Sequence, residues 1–181
     1  MRGLQELESA HWPADKDAVK MCEIKGQAAV DCRNYIRVLH RHEARLLACG
    51  THAFQPVCTW RRLDALGTVQ RRESGIAVAP YSPRFNVTSV LTADGDVVAA
   101  TPTDFSGLDP ALYRSAGAGG RGAVRTGKYD TRLLREPQFV GSFETAHFVY
   151  FVFREEALEF LSCGKVSRGY WKLGSGVDGL R

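Results

Sequence analysis

The stretch Thr88–Thr101, with the sequence TSVLTADGDVVAAT, decides the fold class. Both halves are short runs of apolar, β-branched and small residues, and an Asp-Gly pair stands between them. Such a pair between two runs of this kind is a strong short-range indicator of a β-hairpin. We therefore predict two strands, Thr88–Thr92 and Val97–Thr101, joined by a turn at Ala93–Asp96.

The same arrangement recurs along the chain at a fixed distance. Cys49, Ala100 and Phe151 stand at equivalent positions in three apolar runs, so the repeat is about 50 residues long. A repeat of this length with several strands per unit is typical of propeller blades, whose apolar faces are covered only by neighbouring blades. The chain is therefore predicted to be all-β. The other predicted hairpins are Tyr35–Leu39 with Leu46–Thr51 across His40–Ala44, and Phe139–Phe143 with Val149–Phe153 across Glu144–Ala146.

Four of the five cysteines fall into two local pairs, Cys22 with Cys32 and Cys49 with Cys58, and Cys163 is left over. Neither spacing matches the close ligand spacing of zinc sites. Each pair could close a small loop, which in the chain-entropy model adds about 2 to 3 kcal/mol of stability. Local bridges of this kind indicate an oxidising compartment.

The tripeptide Asn86-Val87-Thr88 is an acceptor sequence for N-glycosylation, which also favours a secreted protein. The polar segment Met1–Lys20 lacks the apolar stretch of a signal peptide, and no run of 18 or more apolar residues could span a membrane. We expect an extracellular or cell-surface protein, and we interpret the missing leader as the mark of a fragment.

Neither nucleic-acid binding nor catalysis is indicated. The net charge of +4 comes from scattered residues and not from a dense basic stripe with aromatic residues between. Gly122–Lys128 has the glycine and lysine spacing of a nucleotide phosphate loop, but Tyr129 follows where a Ser or Thr hydroxyl is needed for magnesium. A nucleotide-binding enzyme at this segment stays a remote alternative, and we expect no cofactor, metal or small-molecule substrate.

Several stretches together resemble the start of a semaphorin domain, in that family's order and spacing. They cover about Val19 to Ser167, and Phe105–Pro110 is most similar to the transmembrane classes one and five. The stretches are Asn34–Leu39, Cys49–Cys58, Pro80–Asn86, Asp104–Gly107 with Tyr113-Arg114, Val124–Asp130, Glu136–Val140 and Tyr150–Glu155.

This resemblance implies a fold, a function and a domain division. The family fold is a seven-bladed β-propeller, of which this chain would hold about the first three blades. Members are extracellular guidance cues, usually dimers, that bind plexin receptors and steer axons and migrating cells. Residues 19–167 would be the partial Sema domain, 1–18 a polar N-terminal segment and 168–181 a divergent tail. A receptor ectodomain with the same propeller is the alternative.

The resemblance also implies how the cysteines pair, and the chain departs from the family in places. The family's pattern joins Cys22 to Cys32 and Cys49 to Cys58. Where the family commonly has cysteine and aspartate around its Pro-Tyr landmark, this chain has Ala79 and Ser82.

The sequence after Ser167 departs from the family as well, and the cysteine expected there is the missing partner of Cys163. We therefore expect the third blade to be incomplete, with an unpaired edge beside Phe148–Phe153. Three blades would also leave two open apolar flanks. The isolated chain is expected to aggregate or to be partly disordered, and to bind no plexin measurably.

Overall fold

The computed structural model describes residues 9–116, 122–155 and 167–174. Within these ranges one helix precedes eleven strands, and the strands form three antiparallel sheets. The elements are α1 (Lys16–Ile24), β1 (Ile36–His42), β2 (Arg45–Gly50), β3 (Val57–Arg62), β4 (Ala65–Ser74), β5 (Thr88–Leu91), β6 (Val97–Pro102), β7 (Pro110–Arg114), β8 (Val124–Arg125), β9 (Gln138–Glu144), β10 (Phe148–Glu155) and β11 (Ser167–Gly174).

Each sheet is a blade whose strands neighbour one another in chain order. Blade 1 holds β1 to β4, blade 2 holds β5 to β8, and blade 3 holds β9 to β11. The first strand of blade 2 lies beside the first strands of the two other blades. The blades are therefore arranged about their first strands, which is the geometry of a β-propeller.

The core lies between the blades. On β6, Val97 packs against blade 1, whereas the next residue, Val98, packs against blade 3. Successive side chains of a strand point to opposite faces of its sheet, and both faces of blade 2 are covered. This arrangement accounts for the continuous apolar run of β6, since both sets of side chains leave water.

Polar side chains also join the first strands across the blades. His40 Nε2 lies 2.8 Å from Ser89 Oγ, between β1 and β5. Thr88 Oγ1 lies 2.7 Å from Ser142 Oγ, between β5 and β9. Neighbouring blades are therefore held together by side-chain hydrogen bonds as well as by apolar packing.

The three expected hairpins are confirmed, with one change in the first of them. β1 continues through His42 and β2 already begins at Arg45, so the turn is Glu43-Ala44 and not the longer His40–Ala44. Glu43 has a φ of 53°, which allows this tight connection. In the second hairpin Gly95 takes the left-handed φ of 84° that an Asp-Gly turn requires.

Two features differ from the expectations. The helix α1 was not predicted, and the unpaired edge expected beside Phe148–Phe153 is wrong, because β10 pairs with β9 on one side and with β11 on the other. α1 and β11 also extend across the expected boundaries at residues 18 and 167. Residues 156–166, which include Cys163, lie outside the described residues.

Candidate functional site

Both local cysteine pairs are joined in the structure. Cys22 at the buried face of α1 bonds to Cys32, and their Cα atoms are 5.8 Å apart. Cys49 on β2 bonds to Cys58, its direct partner on β3, with Cα atoms 4.0 Å apart. The first disulfide fastens α1 to the segment before β1, and the second closes a short loop at the end of blade 1. This loop includes residues 51 to 55.

Three successive residues in this loop, His52, Ala53 and Phe54, have left-handed φ values of 43°, 56° and 60°. Non-glycine residues rarely adopt this conformation, and it persists only where the surroundings hold it in place. Asn34 Oδ1 accepts the His52 backbone N–H at 3.0 Å, and the Arg33 carbonyl accepts that of Ala53 at 3.1 Å. The loop is therefore a fixed part of blade 1.

His52 is 2% exposed and fastens the segment before α1 to blade 1. Its Nε2 accepts the backbone N–H of Asp15 at 3.2 Å, and the Arg72 guanidinium lies 3.3 Å away. Burial lowers the pKa of His52, although the nearby Asp15 carboxylate acts to raise it. The hydrogen bond from Arg72, 2.7 Å from Asp15 Oδ2, lowers the pKa of that carboxyl. A neutral imidazole between an N–H and a cation fits this site.

Trp12 extends the same attachment. Its carbonyl accepts a hydrogen bond from Asn34 Nδ2 at 3.0 Å, and the Arg61 guanidinium lies 5.0 Å from its ring centroid. Residues 12 to 15 therefore lie against β3 and β4. None of these roles was predictable from the sequence, because each contact joins residues far apart in the chain.

The buried carboxylate of Asp109 joins two loops of blade 2. Its Oδ2 accepts hydrogen bonds from Thr103 Oγ1 at 2.6 Å and from Arg125 at 2.9 Å, and its Oδ1 accepts the Tyr129 backbone N–H at 3.0 Å. Burial acts to raise the pKa of Asp109, but the bonds from Thr103 and Arg125 outweigh it, so this pKa is lowered. The ionised carboxylate holds the loop after β6 against β8 and the turn that follows it.

A groove of about 620 Å³ opens beside this carboxylate network. Two of its lining residues, Leu108 and Tyr129, are 72% and 62% exposed. Asn86, the acceptor of the glycosylation sequence, also lines the groove, and its Nδ2 donates to Gln138 Oε1 at 3.1 Å. The groove therefore brings the acceptor asparagine together with exposed apolar side chains from two other loops.

The structure places Gly122–Lys128 in an arrangement unlike a phosphate loop. Val124 and Arg125 form the short outer strand β8, the Thr126 side chain is buried, and exposed Lys128 begins a turn. No helix follows this lysine between residues 128 and 137, so the described segment has no helix N-terminus to face a phosphate.

The two departures from the family landmark are both buried. Ala79 is 0% exposed and packs in the cluster that contains the Cys49–Cys58 disulfide. Ser82 is 4% exposed, and its Oγ accepts the Arg84 backbone N–H at 3.2 Å. Both residues therefore serve packing and local turn structure.

In the described parts of the chain, no group of three His, Cys, Asp or Glu side chains is arranged to hold a metal ion. The only described helix, α1, has nine residues, and among the described elements there is no helix long and apolar enough to span a membrane.

Comparison with curated proteins gives clear relatives. The chain is 48% identical over 164 residues to Semaphorin 5c of Drosophila melanogaster, a match that covers 90% of this chain and 15% of the relative. It is 45% identical over 165 residues to human Semaphorin-5A and 43% identical over 164 residues to Drosophila Semaphorin-1A, and these matches cover 91% and 90% of the chain. The chain spans 15% and 17% of the length of these two relatives. No protein-family profile matches it.

Solved structures agree with this result. The extracellular domains 1-2 of Drosophila Semaphorin 1b superpose with a TM-score of 0.83 at 34% identity, over 97% of this chain and 33% of that one. A structure of Drosophila Plexin A in complex with Semaphorin 1b gives the same TM-score, identity and coverage. Drosophila Semaphorin 1a gives a TM-score of 0.82 at 38% identity, over 96% of this chain and 32% of that one.

Proposed function

This chain belongs to the semaphorin family, and on that premise we propose that it forms part of the propeller of an extracellular guidance ligand that binds a plexin-type receptor. The observation that carries the proposal is the likeness to Semaphorin 1b, which has been solved in complex with Plexin A. The likeness covers nearly the whole chain and includes all three blades. The binding partner that we propose for this chain is therefore a protein surface.

The geometry of the described residues supports recognition over turnover. Asp109 and His52, two buried groups with shifted pKa values, are each held by hydrogen bonds that fix loops of the blade. Groups prepared for catalysis would instead face a cleft where a substrate could reach them. Here the hydrogen bonds hold the loops in one conformation, which gives the blade a preformed surface.

We propose an extracellular location on the same basis. Two buried disulfides suit an oxidising compartment, and exposed Asn86 is accessible for a glycan. We retain residues 19–167 as the proposed extent of the Sema-type part, and we propose that the whole protein acts as a homodimer. The packing described above lies within one copy of the chain.

The test is a chimera in which this chain replaces the matching segment of Drosophila Semaphorin 1b, so that the relative supplies the rest of the propeller. We expect the secreted chimera to bind the Plexin A ectodomain in surface-based binding measurements, as its parent does in the solved complex. The matched control is the chimera with Phe151→Ala, which removes a fully buried ring between blades.

A chimera that is secreted as well as its parent and binds no plexin ectodomain would contradict the proposal. If it bound a semaphorin ectodomain instead, the receptor alternative would take its place.

A further inference from the structure

We propose that the groove beside Asn86 is the seat of a neutral sugar, the first N-acetylglucosamine of a glycan carried by Asn86 itself, packed against Tyr129 and Leu108. The inference rests on the extracellular location proposed above, since the glycan is added only in the secretory pathway. It goes further in assigning the groove a ligand and a structural role.

Asn86 is placed so that a sugar linked to it would lie at the groove. Asn86 is exposed, it lines the groove, and it lies two residues before β5. In the transfer, Asn86 Nδ2 bonds to the anomeric carbon of the sugar and loses one proton, and the donor's lipid diphosphate leaves. The oligosaccharide is thus tethered at the wall of the groove, and its first ring needs no separate binding event to arrive there.

The amide contact of Asn86 is compatible with the linkage. Nδ2 carries two hydrogens and donates one to Gln138 Oε1 at 3.1 Å. Glycosylation replaces one hydrogen and leaves the other, so the linked amide keeps one donor for Gln138. Because Gln138 also lines the groove, this hydrogen bond would direct the amide, and the sugar with it, along the groove.

The chemistry of the walls suits a sugar. A pyranose ring has apolar C–H faces and polar edges, and exposed aromatic and aliphatic side chains such as Tyr129 and Leu108 pack against such faces. Charges on the rim have partners of their own: Arg84 binds Asp31 at 2.8 Å, and Asp130 binds Arg132 at 3.2 Å. An uncharged ligand therefore fits better than an anion or a cation.

The walls are also fixed before the sugar arrives. Asp109 binds the backbone N–H of Tyr129, and Asp104 Oδ1 accepts the backbone N–H of Asp109 at 2.8 Å. Gly107, with a φ of 77°, lies so close to the ring of Phe85 that a Cβ there would come within 2.5 Å of it. A preformed groove of about 620 Å³ lies in the size range of small-molecule sites, about 300 to 1,000 Å³.

The experiment compares three forms of the full chain, secreted behind a cleavable leader from cells that make only high-mannose glycans. The first carries the intact glycan. An endoglycosidase trims the second to one N-acetylglucosamine. The third, called the stripped form, is secreted while synthesis of the lipid-linked glycan donor is inhibited, so it lacks the glycan and keeps the Asn86 amide. We expect the one-sugar form to have the same melting temperature as the intact form, and the stripped form to have a melting temperature about 2 to 4 °C lower.

A second measurement does not depend on reversible melting. Amide hydrogen exchange of residues 126–138 should be slower in the one-sugar form than in the stripped form. The difference should vanish in Tyr129→Gly, which removes the ring and tolerates the left-handed φ of 52° at this position.

The outcomes separate the two proposals. If mass spectrometry finds no glycan on Asn86, the groove has no tethered ligand and the seat is refuted, whereas the extracellular proposal still rests on the two disulfides. If the glycan is present but the one-sugar and stripped forms agree in both melting and exchange, the seat is refuted and the extracellular proposal stands.

Discussion

Replacing Phe151 with alanine should cost more stability than the same change at Phe143, eight residues earlier. Phe151 is 0% exposed and packs with Val98, Leu112 and Phe139 between blades 2 and 3. Burying a phenylalanine side chain is worth about 1.5 to 3 kcal/mol, and the cavity left by its removal adds to the loss. We therefore expect Phe151→Ala to lower the free energy of unfolding by about 3 to 5 kcal/mol.

Phe143 provides the matched control because the deleted atoms are the same. Its side chain is 52% exposed, and its ring stacks on Tyr150 with centroids 5.1 Å apart. Such a pair is worth about 0.5 to 1.5 kcal/mol, so Phe143→Ala should cost about 1 kcal/mol. Urea unfolding followed by circular dichroism measures both values. Equal losses for the two variants, or a loss below about 1 kcal/mol for Phe151→Ala, would refute the packing of blade 3 on blade 2.

Two further predictions concern His52 and Lys128. As the pH falls below about 6.5, the ordinary pKa of histidine, the unfolded chain takes up a proton before buried His52 does, so the free energy of unfolding should decrease until the pH reaches the lowered folded-state pKa. His52→Asn should flatten this decrease in urea midpoints measured across that window. Calorimetric titration with magnesium-ATP should give no saturable heat; a saturable signal that is lost in Lys128→Ala would restore the nucleotide alternative.

The hairpins were predictable because their information is local. In Thr88–Thr101 the turn residues, the apolar runs and the pairing partners all lie within one short window, and the structure pairs Leu91 with Val97 as that window implies. The outermost strand of blade 1, β4, carries no such pattern. Its residues are mostly exposed, so pairing with β3 and not burial makes it a strand.

The helix and the buried polar contacts could not be predicted, because both depend on residues that lie outside their own stretch of sequence. α1 has only two buried residues, Ala18 and Cys22, and no side chain caps its N-terminus, so it depends on the disulfide and the packing around it. Asp109 reaches Arg125 and Tyr129 across more than a dozen residues of chain. The family resemblance included the stretches Phe105–Pro110 and Val124–Asp130, but it gave none of these three residues a physical role.

The hydroxyl contact between the first strands of blades 2 and 3 bears on which sequence changes the chain can tolerate during evolution. Thr88 meets Ser142, and in such a pair either oxygen can be the donor. The contact therefore specifies no direction and no charge, and a serine or threonine on either side satisfies it. An exchange of blade 3 for another blade then needs to preserve a hydroxyl at this contact and the volume of the apolar side chains behind it. The boundary between blades 2 and 3 is thus a natural crossover point for shuffling this gene.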